Sequence, residues 1–422
     1  MGGIFKNEYK LLKRLIKYPG SNMLKLFSLI IIALYTFSAL AASVQSNRVY
    51  NVNSYGANGN DKESDRSAIQ NAINTASRAG GGVVYFPPGT YYVDVINASG
   101  GGITSLVLLN GVSLEGASRE SVAIKLASNS YGEGAYYRLI SSPVQGVSNV
   151  SIRNITIDGN RKNQVPGIQA SNIIIEAPRS ENITIENVRS LESNGQGIQV
   201  RGTPSDYGKS IKISGNISEN HSGICIQVGQ FDGLLIKDNI VSNCGNNGID
   251  IYGENGTLVT HSRNYVISGN IVTNALVGIF NETVSDGVVA NNQITKTVFG
   301  ITVNRINGEP KNININGNNI VKTSDSGIRI TGDTGGVFIT NNTISEFAKS
   351  SVELQWTSVV TVSNNFIKVS NSKIPLFVLS GHHVNFSKIV NNNSTTYPVS
   401  VSAKDAIRIV TNIAVANTIV LP

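Results

Sequence analysis

Apolar and polar residues alternate along this chain in short bursts, and the bursts recur. One burst reads Gly197-Ile198-Gln199-Val200, and it returns as Gly223-Ile224-Cys225-Ile226 and Gly248-Ile249-Asp250-Ile251. It continues at Gly278-Ile279, Gly300-Ile301-Thr302-Val303 and Gly327-Ile328-Arg329-Ile330, with divergent copies at Asn172–Ile175 and Ser351–Leu354. The starts are 22 to 30 residues apart. A second motif, apolar residues flanking a Gly/Asn/Asp-Asn step, falls between the copies and puts Asn216, Asn239, Asn270, Asn292, Asn318, Asn342 and Asn365 in register. A period of two is the signature of strands. Two such motifs every 25 residues or so leave no room for a helical crossover, so successive coils must stack strand on strand about 4.8 Å apart. The pattern predicts an all-β parallel β-helix, a solenoid, with in-register Asn residues at a turn. An Asn there tolerates left-handed backbone and bonds to its neighbours above and below. The sequons at Asn154, Asn182, Asn216 and Asn341 are read as ladder positions on the same grounds.

The period changes near the start. Asp65–Ala79 carries Ile69, Ala72, Ile73 and Ala76 on one face, the spacing of an amphipathic helix. Asp65 or Ser64 is the expected N-cap and Gly80-Gly81-Gly82 the stop. Val83–Phe86, the turn Pro87-Pro88-Gly89 and Tyr91–Val93 follow as a short strand pair. This short N-terminal capping helix and strand pair are expected to plug the first coil, since a solenoid end needs covering. Before it, Met23-Leu24-Lys25 leads into an uncharged run ending Ala39-Leu40-Ala41-Ala42, the form of a secretory signal peptide. The expected organisation is a signal peptide at 1–42 (with Met23 an alternative start), a cap and opening strands at 43–95, and coils from 96 to 422.

Composition alters this picture in two ways. Residues 1–41 hold six Lys and Arg against one Glu, so most of the net charge of +7 belongs to the leader and about +2 remains. A nucleic-acid partner therefore loses its electrostatic basis. Removing the leader also removes the one stretch apolar enough for stable membrane insertion. Secretion, a periplasmic location or a cell-surface location is expected. The two cysteines, Cys225 and Cys244, are then free to form a disulfide or to remain separate thiols. No CxxC or HxxxH spacing suggests a metal site, so no cofactor is expected, with calcium left open.

The segment Tyr50–Val93, YNVNSYGANGN through SAIQNAINTASRAGGGVVYFPPGTYYV, resembles the opening of the pectate-lyase-like right-handed parallel β-helix superfamily. Rhamnogalacturonases, phage tailspikes and mannuronan C5-epimerases share it. The resemblance extends through VLLNGVSLEGAS (Val107–Ser118) and NITIDGNRKN (Asn154–Asn163), the latter most similar to epimerase modules. It implies an enzyme, or a binder, of an acidic polysaccharide. Epimerase modules carry a Tyr-Gly-Phe-Asp-Pro-His-like strand, and the matching stretch here is Gln196-Gly197-Ile198-Gln199-Val200-Arg201, with all three reactive side chains changed. The adjacent Asp-Asp pair of polygalacturonase-like hydrolases is absent from the chain.

In Gly-Ile-x-Ile-y the isoleucines point inward, and x and y point out. The expected x column is Ile174, Gln199, Cys225, Asp250, Phe280, Thr302, Arg329, Glu353. The y column is Glu176, Arg201, Gln227, Tyr252, Glu282, Asn304, Thr331, Gln355. Arg201, with Arg161 and Lys162 from the preceding loop, suits uronate carboxylates, or forms a solvated basic patch. Asp158 either orients Arg201, binds sugar hydroxyls or caps a turn. Asp250, Tyr252 and Glu254 share one strand end and could move protons, as a carboxylate pair for glycoside cleavage or through Tyr252 in an elimination. His221, at the turn entering its strand, is a candidate base or an exposed turn histidine. Arg201, Tyr252, Asp250 and His221 are thus the catalytic candidates. Asp158, Arg161, Lys162, Gln199, Gln227 and Glu254 are the substrate-binding ones. Trp356, the single tryptophan, either stacks on a sugar or packs at an edge. An elimination fits these residues best. Epimerase-like chemistry is favoured with it, glycoside hydrolysis is possible, and a non-catalytic surface or polysaccharide-binding β-helix is the alternative.

Overall fold

The computed structural model describes residues 48–380 except 99–101, 131–135, 166–168, 177–178, 254–261, 307, 358 and 369–373. Beyond 380 it describes the backbone of five short strands, the last at Ile419–Val420. The expected leader lies outside the described residues.

Each coil contributes one strand to each of three faces. The first face is a 14-stranded parallel sheet that begins at Val49–Asn51 and Gly82–Phe86 and passes through Gly208–Ser214, Phe231–Lys237 and Ser262–Ser268. The second face includes Ile217–His221 and Ile240–Cys244. The third includes Gln169–Glu176, Ile198–Arg201, Ile226–Gly229 and Ile249–Tyr252. In two coils the second and third faces run together as single 12-residue strands, Ile271–Glu282 and Gln293–Asn304. Among the described residues, all strand pairings are parallel except Ile96–Ala98 with Gly102–Val107. The parallel strands bury their inward side chains in a continuous apolar interior, where Ile173, Ile198, Ile226, Ile249, Ile279, Ile301 and Ile328 are all fully buried.

That column corrects one coil of the expected register. Ile198 stands beside Ile226, not Ile224, and Gln199 beside Gln227. Cys225 lies before the strand and is buried, in the place that Gly197 and Gly248 hold in the adjacent coils. It forms a disulfide with Cys244, Cα–Cα 5.6 Å, joining the turn into one third-face strand to the end of the next second-face strand.

The asparagine ladder forms, with a different backbone role. In Asn239, Nδ2 donates to Asn270 Oδ1 (2.9 Å) and to the Ile213 carbonyl (3.0 Å), while Oδ1 accepts from the backbone N–H and Nδ2 of Asn216. Every donor and acceptor of the amide is used. The pattern repeats through Asn270, Asn292, Asn318, Asn342 and Asn365. The left-handed residue is the one before each: Gly215, Asp238, Gly269, Asn291, Gly317, Asn341 and Asn364, at φ from 55° to 68°.

The helix α1 spans Arg66–Arg78 and buries Ile69, Ala72, Ile73 and Ala76. Asp65 occupies the N-cap position without capping; its Oδ1 instead accepts from the Asn58 N–H at 2.6 Å. Gly82–Phe86 and Gly89–Val93 do not pair with each other. They belong to the first and second faces, so they form a coil where a hairpin-like plug was expected. Among the described residues, no helix is long and apolar enough to cross a membrane.

Candidate active site

The outward side of the third face holds the chemistry. Its corrected x row runs Gln199, Gln227, Asp250, Phe280, Thr302, Arg329 and Glu353, and its y row runs Arg201, Gly229, Tyr252, Glu282, Asn304, Thr331 and Gln355. Gln227 therefore moves from the Arg201 row to the Asp250 row.

Asp250 faces outward yet is only 5% exposed. Asn247 Nδ2 donates to its Oδ2 at 3.0 Å, and its Oδ1 is buried without a hydrogen-bond partner. Burial raises its pKa to about 7; the Asn247 hydrogen bond opposes this, and the Glu282 charge adds to it. A carboxyl poised near neutrality can both take and give a proton, which is what acid–base chemistry requires. In the preceding coil Gln227 stands beside it in register, and Gln199 Nε2 donates to Gln227 Oε1.

Tyr252 lies two residues along the same strand and is 8% exposed. Its ring covers Gly229, so closely that a β-carbon there would overlap it. Glu282 is its register partner in the next coil. Glu282, missed as a candidate, was already visible in the sequence as the y residue one repeat on. Two coils before Tyr252, Arg201 Nη2 pairs with Glu176 Oε1 at 2.8 Å, and Glu176 also holds Arg138 at 2.6 Å. The expectation of an Arg201 served by Asp158 is thereby corrected: one carboxylate, Glu176, sits between two arginines, with the Arg201 side chain 41% exposed. Arg138 and Glu176 were also missed as candidates, because nothing local in the sequence joins residues 38 apart.

The other candidates lie elsewhere. Asp158 is on the second face, where Oδ2 pairs with Lys125 at 2.7 Å and Oδ1 caps the Asn160 N–H. Arg161 pairs loosely with Glu192 at 3.8 Å, and Lys162 is exposed beside it in a 3-10 turn. His221 is not an exposed turn residue: it is 1% exposed. Its Nδ1 lies 2.7 Å from Ser193 Oγ, and its Nε2 lies 3.1 Å from both Ser218 Oγ and the Ser190 carbonyl. Burial pulls its pKa down to about 3. Both ring nitrogens are thus occupied inside the coil. Glu254 lies outside the described residues. Trp356 is 55% exposed at a corner with φ 51°, its N–H bonded to the Ser380 carbonyl. A separate cleft of about 330 Å³ lies on the second face, lined by Thr90, Arg119, Thr156 and Arg189, away from these rows. Among the described residues, no cluster of His, Cys, Asp and Glu is arranged to hold a metal ion.

Comparison with known proteins matches this frame. Mannuronan C5-epimerase AlgE6 of Azotobacter vinelandii is 38% identical over 152 residues, 35% of this chain and 17% of that protein. Alginate lyase 7 of the same organism is 28% identical over 205 residues, 48% of this chain and 23% of that protein. The matched segments thus span well under a third of these relatives. The A-module of the A. vinelandii mannuronan C5-epimerase AlgE4 superposes with a TM-score of 0.70 at 20% identity, covering 88% of this chain and all of that module. A Yersinia enterocolitica family 28 exopolygalacturonase does so with a TM-score of 0.67 at 15% identity, over 87% of this chain and 77% of that one; both likenesses speak to the fold. Residues 49–302 match the family described as rhamnogalacturonase A/epimerase, pectate lyase-like, and the chain belongs to that family of right-handed parallel β-solenoids.

Proposed function

We propose that this protein is an exported enzyme that acts on a uronic-acid polysaccharide by removing the proton next to a sugar carboxylate. The observation that carries the reading is Asp250, a buried outward-facing carboxyl with its pKa raised to about 7. In its ionised form Asp250 takes the C5 proton. Arg201, two coils away, holds the carboxylate of a neighbouring sugar and so positions the chain over Asp250. The Tyr252 hydroxyl gives a proton, either to the departing C4 oxygen in an elimination or back to C5 from the opposite side in an epimerisation. Both outcomes share the first step. The names of the similar proteins, mannuronan C5-epimerases and an alginate lyase, support an acidic substrate.

The departures from the epimerase strand fit this reading. Gln196, Gln199 and Arg201 stand where the resembling modules carry Tyr, Asp and His, so the proton chemistry sits elsewhere. Asp250 continues the Gln199 row and Tyr252 the Arg201 row, each two coils on, roughly 10 Å along the solenoid. His221, occupied internally, takes no part in the scheme.

One observation favours glycoside hydrolysis as a second reading: near pH 7 Asp250 also exists as an acid, and Glu282 supplies a carboxylate in the next coil. Incubating the mature protein with mannuronan, guluronan and polygalacturonate separates these. Ultraviolet-absorbing unsaturated ends mark elimination, and new anomeric proton signals without chain cleavage mark epimerisation. Reducing ends without ultraviolet absorbance mark hydrolysis. Binding without any product would overturn the enzyme in favour of a non-catalytic binder. Secretion, or a periplasmic or cell-surface location, belongs to the same proposal, and the Cys225–Cys244 disulfide supports it because such bonds persist in oxidising surroundings.

A further inference from the structure

The strand that carries Asp250 is entered through a short turn held from both sides. The turn, 245–248, leads from the second-face strand Ile240–Cys244 into the third-face strand Ile249–Tyr252. The Gly245 N–H donates to the His221 carbonyl at 2.9 Å, the Asn246 N–H to the Gly223 carbonyl at 3.3 Å, and the Gly248 N–H to the Val277 carbonyl at 2.8 Å. The Asn247 carbonyl accepts from the Cys225 N–H at 3.2 Å. A β-carbon on Gly245 would lie 2.1 Å from the Ser222 carbonyl oxygen, so the turn sits directly on the coil before it. The disulfide closes this arrangement. Cys225 is bonded through its backbone to Asn247 and through its sulfur to Cys244, at the start of the same turn.

Asn247 is 6% exposed, with Nδ2 donating to Asp250 Oδ2 at 3.0 Å and Oδ1 buried without a hydrogen-bond partner. An amide buried with its acceptor unused costs stability that an apolar side chain of the same size would not. Packing therefore does not account for an asparagine here; the bond to Asp250 does. Of the other groups facing this carboxyl, Glu282 in the next coil disfavours its ionised form, and the Gln227 amide of the preceding coil favours it less than Asn247 does. Tyr252 lies two residues along the same strand, and Phe280 is the register partner in the next coil.

We infer that Asn247 is a positioning residue for Asp250 and that the Cys225–Cys244 disulfide holds it at that carboxyl. The inference rests on Asp250 as the acid–base group of the proposed reaction. A donor fixed on the ionised carboxyl stabilises that form and keeps Asp250 a base to lower pH. Without it, burial and the Glu282 charge act with less to oppose them.

The test is the pH profile of kcat/KM on uronate polymers for the wild type, Asn247→Leu, and the double variant Cys225→Ala/Cys244→Ala, with a melt recorded for each. Leucine keeps the volume and removes the donor. In Asn247→Leu the rising limb is expected to move up by about one pH unit, the size of one hydrogen bond to a charged group. The cysteine double variant is expected to move it in the same direction by less, and to add nothing in an Asn247→Leu background, since the two act as a unit. If Asn247→Leu does not fold, Asn247→Asp replaces it; a carboxylate there should move the limb further the same way. A lowered plateau with an unmoved limb in the Asn247 variant would overturn the positioning role. An unmoved limb in the cysteine variant alone would overturn the part given to the disulfide. Carbon-13 titration of the Asp250 carboxyl in the same proteins reads the shift without substrate. A wild type that turns over no uronate polymer would thus overturn the proposed function, while the carboxyl titration would still decide for or against Asn247.

Discussion

The Tyr252 ring rests on Gly229, the residue that separates it in register from Arg201. A side chain at that one position would evict the ring. Gly229→Ala should therefore lower kcat/KM about as much as Tyr252→Ala does, at a stability cost of about 1–3 kcal/mol. In a Tyr252→Ala background the same substitution should change turnover little, because the two act as a unit. Additive losses in that double-mutant cycle would show that Gly229 matters for another reason.

Asp250 makes stability depend on pH in an unusual direction. Its carboxyl ionises near 3.8 in the unfolded chain but at about 7 in the folded one. Between those values the folded state holds the extra proton, so this group's contribution to stability is greatest in acid and is lost as pH rises from about 4 to 7. The full effect is at most roughly 4 kcal/mol, at about 1.4 kcal/mol per pKa unit. Asp250→Asn keeps an acceptor for Asn247 and removes the cost. It should melt higher than the wild type above pH 7, with the difference fading toward pH 4. A variant that melts lower at pH 8 would contradict the assigned shift.

His221 works in the opposite sense. With its folded pKa depressed to about 3, the unfolded chain gains a proton near pH 6.5 that the folded chain refuses. Its contribution is full above about 6.5 and is lost as pH falls toward 3. The direct check is NMR: the His221 ring signals should stay at their neutral positions between pH 8 and about 5. A normal titration midpoint would mean that the ring reaches water.

The inward stack and the asparagine ladder carry separate loads. Ile249→Ala, at a fully buried site, should cost roughly 2–5 kcal/mol. Asn270→Ala removes the acceptor for two Asn239 donors and should cost about 2 kcal/mol or more. Thr302→Val, which removes a hydroxyl with no partner, should leave the denaturant midpoint nearly unchanged. Equal losses for all three would undo the inward and outward assignment.

The solenoid was legible because its signal is periodic: alternating Ile residues and in-register Asn residues specify strands and turns wherever they recur. One coil misled. Gly223-Ile224 has the form of a strand start, but the strand begins at Ile226, ten residues after Asn216, just as Ile249 follows Asn239. Counting from the ladder would have revealed it. Asp250 and Tyr252 were legible as outward residues on one strand. The burial that perturbs Asp250 was not, since it depends on how Asn247, Gln227 and the next coil close around it. His221 was misplaced because a residue at the end of a short strand can point either way, and only the serines at 190, 193 and 218 make an inward imidazole tolerable. The Arg138–Glu176–Arg201 chain links three successive coils, a relation that sequence distance hides.

The central claim is that Asp250 moves the proton, and the most direct measurement is the turnover of uronate polymers by Asp250→Asn beside its binding of the same polymers. Loss of a positioned acid–base group predicts a fall of about 100-fold or more in kcat, with affinity nearly unchanged. In the wild type, kcat/KM should rise with pH through about 7 as the base ionises. Wild-type turnover in Asp250→Asn would contradict the account and leave the proton chemistry to another residue of the face.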